Sequence, residues 1–364
     1  MKITIVAGAR PNFMKIAPII DAIKVKQELG FNMKFRLVHT GQHYDKNLSD
    51  TFFDELNIPF PDTNLEVKSG TQAEQTAAIM IGFEKELEKN PCDLVMVVGD
   101  VTSTMACTIV AKKTGVDVAH VEAGIRSGDM SMPEEINRIV TDSLTDYFFI
   151  TSKYANENLL KLGVEKDSIF FVGNVMIDTL RKNELRFKQP KLWNELGLTE
   201  KKYFVMTLHR PSNVDEERQL VSLITKLTSL AKDYPIIFPV HPRTKKLLEG
   251  LNLNFNNLHY IDPLGYLEFN YLVKHAFAVL TDSGGITEET TVLNVPCLTL
   301  RENTERPETC EIGTNVLVGN DSTKIENAFK TLFSGTWKQG QIPELWDGKA
   351  AHRITNHLVE IYKL

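Results

Sequence analysis

The sequence predicts an α/β protein of two doubly wound, Rossmann-like domains, and three observations predict it. The chain has 364 residues, beyond the roughly 250–300 at which one hydrophobic core stops growing. Short apolar runs alternate throughout with amphipathic stretches of helical length, the pattern of βαβ units and parallel sheets. That alternation halts over residues 181–200, a polar stretch carrying Pro190, and then restarts. Two halves of this kind place ligands at the carboxyl ends of their strands, in a cleft where the domains face one another.

Each element follows from its pattern. In the first half, residues 2–7 (KITIVA) read as a buried strand and 13–24 as a helix, with a second strand at 34–39 (KFRLVH). Helices are expected near 47–56 and at 75–87, 103–113 and 134–143, with strands at 93–98, 116–121 and 147–151 (YFFIT). Residues 181–200 lack a strand signal and are expected to be a linker. The second half restarts at 203–208 (YFVMTL), with further strands at 236–240, 258–261, 278–281, 296–300 and 315–318. Helices are expected at 216–231, 244–251, 266–274, 286–293, 324–333 and 349–362. Right-handed crossovers join such strands.

Composition narrows the function. With 42% hydrophobic and 24% charged residues the chain is neither collagen-like nor disordered. A formal charge of −6 gives no footprint for nucleic acid. Arg10 interrupts the first apolar run before it reaches signal-peptide length, and no segment supplies about 18 uninterrupted apolar residues, so neither secretion nor membrane insertion is expected. Cys92, Cys107, Cys297 and Cys310 show no CxxC and no ligand spacing, which fits a reduced cytoplasmic protein. His39, His43 and His120 are not spaced as metal ligands, so no metal is expected.

Candidate chemistry clusters after strands. Gly8-Ala-Arg-Pro-Asn-Phe-Met-Lys15 joins the first strand to the first helix, where helix N–H groups attract anions and Arg10 and Lys15 add charge. It lacks both GxGxxG and GxxxxGK[ST], so no nicotinamide or P-loop site is signalled. Asp100 and Glu122 each follow an apolar strand, where carboxylates are costly unless partnered or used. Glu134 and Glu135 in PEEINR read, by themselves, as dipole compensation at a helix start. His209-Arg210 and His241-Pro-Arg243 end the first two strands of the second half in equivalent positions. Asp282-Ser-Gly-Gly285 is a strand–turn–helix junction whose glycines let a phosphate approach the backbone, with Glu289 one turn further on.

Taken in order, GARPNFMK, GQH, GD, HVEAGIRSGD, PEEINR, LHRPSNV, TDSGGITEE and TERPE resemble the non-hydrolysing UDP-N-acetylglucosamine 2-epimerases, from residue 2 to about 320. The resemblance implies the GT-B type pair of Rossmann domains. Residues 1–180 would carry the catalytic carboxylates, with a C-terminal helix at about 349–364 packing back on them, and 201–348 would bind UDP. It implies a cytoplasmic, homodimeric isomerase that interconverts UDP-GlcNAc and UDP-ManNAc for cell-surface polysaccharide synthesis, with no cofactor and no nucleic-acid or membrane partner. Residue by residue, it places Arg10, Ser283, Gly284, Gly285, Glu289 and Arg306 on the UDP, Phe269 on the uracil and Leu264 near its edge. Lys15, Asp100, Glu122, Glu134 and His209 would surround the sugar. Asp100 and Glu122 form the expected acid–base pair, with Glu134 assisting and His209 at the leaving phosphate or the sugar. Tyr44-Asp45 after GQH, and an Arg-free stretch at 68–72, depart from the family's substrate-activated members, so no activating second substrate molecule is expected. Related 2-epimerases of 3-amino-modified or uronate UDP-sugars share most of these motifs. A glycosyltransferase of the same fold, or a silent UDP-sugar sensor, is disfavoured by the carboxylate set.

Overall fold

The computed structural model describes residues 1–41, 55–214, 216–240, 248, 251, 253 and 255–364, without the side chains of Arg10, Pro211 and Ser212. The helices expected near 47–56 and at 244–251, and His43, Tyr44, Asp45, His241 and Arg243, therefore fall wholly or largely outside the described residues. The chain forms two compact units, 1–182 with 344–364, and 183–343.

The first unit runs β1 (Lys2–Ala7), α1 (Arg10–Glu28), β2 (Lys34–His39), β3 (Thr63–Asn64), α2 (Gln72–Lys89), β4 (Leu94–Val98), α3 (Thr102–Lys113), β5 (Asp117–Val121), α4 (Pro133–Leu144), β6 (Tyr147–Ile150), α5 (Lys153–Lys161), β7 (Ile169–Phe171) and α6 (Val175–Asn183). Its sheet has the order β3-β2-β1-β4-β5-β6-β7, with every pair parallel. Strands covered on both faces read as continuous apolar runs, which is why Leu94–Val98 is LVMVV and buried throughout. Thr71 closes the start of α2 with a capping box: its hydroxyl accepts from Glu74 N at 3.2 Å, and Glu74 Oε2 accepts from Thr71 N at 2.9 Å.

The second unit holds α7 (Leu192–Glu195), β8 (Phe204–Thr207), α8 (Pro211–Val214), α9 (Glu217–Ala231), β9 (Ile236–Pro239), β10 (Leu258–Ile261), α10 (Tyr266–His275), β11 (Ala278–Thr281), α11 (Gly284–Val292), β12 (Cys297–Thr299), α12 (Pro307–Glu311), β13 (Asn315–Leu317) and α13 (Ser322–Phe333). Its parallel sheet is ordered β10-β9-β8-β11-β12-β13. Alternate residues divide between two cores: Phe204, Met206, Phe238 and Leu280 pack on one face, Val205, Ile237 and Val279 on the other. The stretch expected as a linker is packed instead. Leu192, Trp193 and Leu196 lie against the second of these cores, with the Trp193 ring edge-on to Tyr203 at 5.5 Å. Its apolar residues are spaced for one helical turn, too short a run for a periodicity signal.

The chain then returns to the first unit with α14 (Ala350–Tyr362), which packs on α1. Asp178 in α6 accepts from the N–H groups of Ala350 and Ala351 at 3.0 and 2.7 Å, occupying donors that a helix start leaves open. Trp346 is fully buried and its indole N–H donates to the Thr151 carbonyl at 3.1 Å. Tyr362 donates to Asp117 at 2.9 Å. No helix among the described residues is long and apolar enough to cross a membrane. Trp346→Ala should lower unfolding stability by about 3–5 kcal/mol, the scale of a large buried aromatic. Urea unfolding checks this, and limited proteolysis should cut first within 344–364.

Candidate functional site

In both sheets the strand order reverses at one place, β1/β4 in the first unit and β8/β11 in the second, and doubly wound sheets hold ligands at the carboxyl ends there. The first reversal is tied together by Asn12. Its buried side chain accepts from the N–H groups of Gly8 and Ala9 at 3.1 and 2.9 Å and donates to the Val98 carbonyl at 2.9 Å, joining the turn after β1 to the end of β4.

Around it the carboxylates are met one by one. Lys15 Nζ lies 2.7 Å from Glu122 Oε2, with Glu122 almost wholly buried. Glu122 has φ +70°, a left-handed conformation costing an ordinary residue about 1–3 kcal/mol, and its N–H still bonds to Phe149 O at 3.0 Å. Gly99 allows this crowding, because a Cβ there would stand 3.2 Å from Lys15 Nζ. Asp100 receives Arg138 Nη2 at 2.5 Å, and its carbonyl accepts from Asn137 Nδ2 at 2.9 Å. Arg138 also donates to Glu135 at 2.7 Å. Glu135 in turn accepts from Ser127 N and Gly128 N, each at 3.0 Å. Burial pushes the Glu135 carboxyl up, but these donors and Arg138 outweigh it and hold it below its ordinary value. Glu135 thus braces a loop, a finer role than compensating a helix dipole. Glu134 sits half-buried in the first turn of α4.

The second reversal is organised by Asp282, which is fully buried. It accepts from the backbone N–H groups of His209 and Arg210 at 3.0 and 2.9 Å, from Asn213 Nδ2 at 3.0 Å, and lies 2.7 Å from His209 Nδ1. Burial alone would raise its carboxyl, yet His209 and these donors hold it low. The His209 side chain is 58% exposed. Ser283 stands at the N-cap of α11, with Gly284 and Gly285 as its first residues. A Cβ at Gly284 would stand 2.7 Å from Glu305 Oε1, so a larger residue there would displace that carboxylate. Glu305 is itself held by Arg301 at 2.8 Å, with Arg210 at 3.9 Å.

The structure places other expected ligand residues deeper. Arg306 is buried and donates through Nε to Glu288. Glu289 is buried and accepts from Tyr266 Oη at 2.9 Å, and burial pushes its carboxyl up to about 7. Leu264 and Phe269 pack partly against the second unit's core. Of Arg10 only the backbone, at the start of α1, is described. Among the described residues no group of three or more His, Cys, Asp and Glu stands together as metal ligands would. Sequence reasoning missed Asn12, Arg138, Asp142 and Glu305. For α4 a signal existed: Glu135, Arg138 and Asp142 recur at i, i+3 and i+7, one helical face that is polar yet buried.

A profile of the family described as UDP-N-acetylglucosamine 2-epimerase matches residues 26–359. The chain belongs to that family. It is 42% identical over 371 residues to the UDP-N-acetylglucosamine 2-epimerase of Methanocaldococcus jannaschii, covering 98% of this chain and 99% of that one. A crystal structure of the M. jannaschii UDP-GlcNAc 2-epimerase in complex with UDP-GlcNAc and UDP matches with a TM-score of 0.89 at 41% identity, covering 99% and 100% of the two chains. A second relative, the Pseudomonas aeruginosa UDP-2,3-diacetamido-2,3-dideoxy-D-glucuronate 2-epimerase, is 38% identical over 366 residues, 99% of this chain and 100% of that one. The two-sheet α/β fold, of GT-B type, and the epimerase class follow from this membership.

Glu289 makes the site's pH response testable. Its carboxyl is raised from 4.5 to about 7, so its stabilising contribution is complete below about pH 4.5 and is lost as pH rises through 7. Glu289→Gln should therefore gain on the wild type by about 3 kcal/mol between those limits. Urea midpoints measured for both proteins across that range check it; a constant difference contradicts it.

Proposed function

We propose that this chain interconverts UDP-GlcNAc and UDP-ManNAc, with residues of the second unit holding UDP and residues of the first acting on the sugar. The observation that carries the reading is the pair Asp100 and Glu122 at neighbouring strand ends, each met by its own cation. C2 of the sugar has no adjacent carbonyl, so its proton is not acidic enough to be taken directly. Breaking the anomeric C–O bond first makes an oxocarbenium-like centre and acidifies that proton. UDP leaves with the bonding electrons, and the N–H groups at the start of α11, with Ser283, Gly284 and Gly285, stabilise its charge. Loss of the C2 proton to one carboxylate gives 2-acetamidoglucal. Return of a proton to the opposite face, with UDP adding back to C1, gives the epimer. Proton transfer on two faces needs more than one ionisable group, and we assign it to Asp100 and Glu122, with Glu134 assisting. Lys15 holds Glu122 against the sugar, and His209 meets the leaving phosphate. Arg10, Glu289, Arg306, Phe269 and Leu264 complete the UDP contacts, and no cofactor takes part.

The likeness to the diacetamido-glucuronate 2-epimerase favours a second substrate of the same chemistry. Incubation in D₂O separates these readings. UDP-GlcNAc should be converted to UDP-ManNAc with deuterium at C2. Conversion of only the diacetamido-glucuronate sugar would keep the mechanism and change the substrate, and product retaining its original hydrogen would refute the elimination. Asp100→Asn and Glu122→Gln should each lower kcat by ~10²–10⁴ while UDP affinity, measured by calorimetry, stays within about twofold. A large loss of UDP binding would make them binding residues.

A further inference from the structure

We propose that His120 is a positioning residue for Asp100 and Glu122, acting as an imidazolium that donates from both ring nitrogens; its catalytic consequence rests on the epimerase reading above. His120 lies on β5 with no exposed surface, two residues before Glu122. Its Nδ1 stands 2.7 Å from Asp142 Oδ1, and its Nε2 stands 2.8 Å from the carbonyl oxygen of Gly99. A carbonyl only accepts, and so does an ionised carboxylate. Asp142 is such a carboxylate on grounds independent of His120: its other oxygen meets two donors, the Gly124 N–H and the Arg126 guanidinium, which favour the ionised form. Both contacts are hydrogen bonds only when both ring nitrogens carry a proton. A neutral ring would turn a lone pair toward one of two buried acceptors, leaving that group unmet.

The same pair reaches both carboxylate-bearing turns. Gly99, whose carbonyl His120 holds, leads directly into Asp100. The second Asp142 oxygen accepts from Gly124 N at 3.0 Å and pairs with Arg126 Nη1 at 2.7 Å. Glu122 stands between these anchors, at φ +70°. At Gly99 a Cβ would stand 3.2 Å from Lys15 Nζ and 4.0 Å from Glu122 Oε2, so the peptide that His120 fixes also borders the Lys15–Glu122 pair. A shift of this buried cation moves both proton-transfer groups at once, and displacements near 1 Å are enough to cost about 10²-fold in rate.

Protein labelled with ¹⁵N-histidine tests the protonation directly. Two protonated ring nitrogens are expected for the His120 resonance, identified as the one that Asp142→Asn shifts; one protonated and one bare nitrogen would overturn the proposal. In assays, His120→Gln should lower kcat by about 10²-fold, with UDP affinity within about twofold and the thermal midpoint largely kept. Asp142→Asn should behave alike, and the double variant should be about as slow as the slower single one, because the two act as a unit. A folded His120→Gln protein with wild-type kcat, or losses that multiply in the double variant, would overturn it. Should the wild type fail to convert UDP-GlcNAc, the epimerase reading falls, while the nitrogen signals still decide the state of His120.

Discussion

An ion removed from water must find a counter-ion or a set of donors, and that requirement shapes the end of the first sheet. Lys15 meets Glu122, Arg138 meets Asp100 and Glu135, and His120 meets Asp142. Helix α4 supplies Glu135, Arg138 and Asp142 from one face, so its placement follows from the charges it must neutralise as much as from apolar contact. Buried pairs of this kind add little net stability, since desolvation consumes most of the attraction. What they supply is direction. Each carboxylate has few orientations in which its partner is satisfied, and the left-handed backbone at Glu122 is tolerated because its surroundings leave no alternative.

The two reversal points solve the same problem with opposite chemistry. At the first, acidic side chains lie among lysine, arginine and histidine. At the second, the acid is turned inward: Asp282 collects the N–H groups of the segment after β8, leaving the beginning of α11 free of its own carboxylate. The arginines nearby are already engaged, Arg301 with Glu305 and Arg306 with Glu288. An arriving anion would therefore meet a set of cations whose positions are fixed beforehand, which lowers the ordering cost of binding.

Much of the fold was legible because buried parallel strands announce themselves as apolar runs. The strands Lys34–His39, Leu258–Ile261 and Ala278–Thr281 have the bounds their sequence implies, and helix ends differ by a few residues. The edge strand β3, two residues long, and β7, three, carry too little pattern to be seen. The motif residues could be named one at a time, but their partners could not. Arg138 and Asp100 are 38 residues apart, and His120 and Asp142 are 22 apart, and no local periodicity encodes a pairing made through the fold. Arg306 and Glu289 show the same limit from the other side. Their types suggest ligand contact, while their burial and their bonds to Glu288 and Tyr266 appear only in three dimensions.

The return of residues 344–364 to the first unit bears on how the polypeptide is made. The second unit is a continuous stretch, 183–343, whereas the first is split across it. As the chain leaves the ribosome, the first sheet emerges early but lacks the indole of Trp346 and the whole of α14. The face of α1 that α14 covers stays open to water until the whole of the second unit has been made and α14 follows it. The first unit is thus begun before the second and completed after it, and it waits through synthesis of residues 183–343 with an uncovered surface, the condition under which nascent domains lean on chaperones.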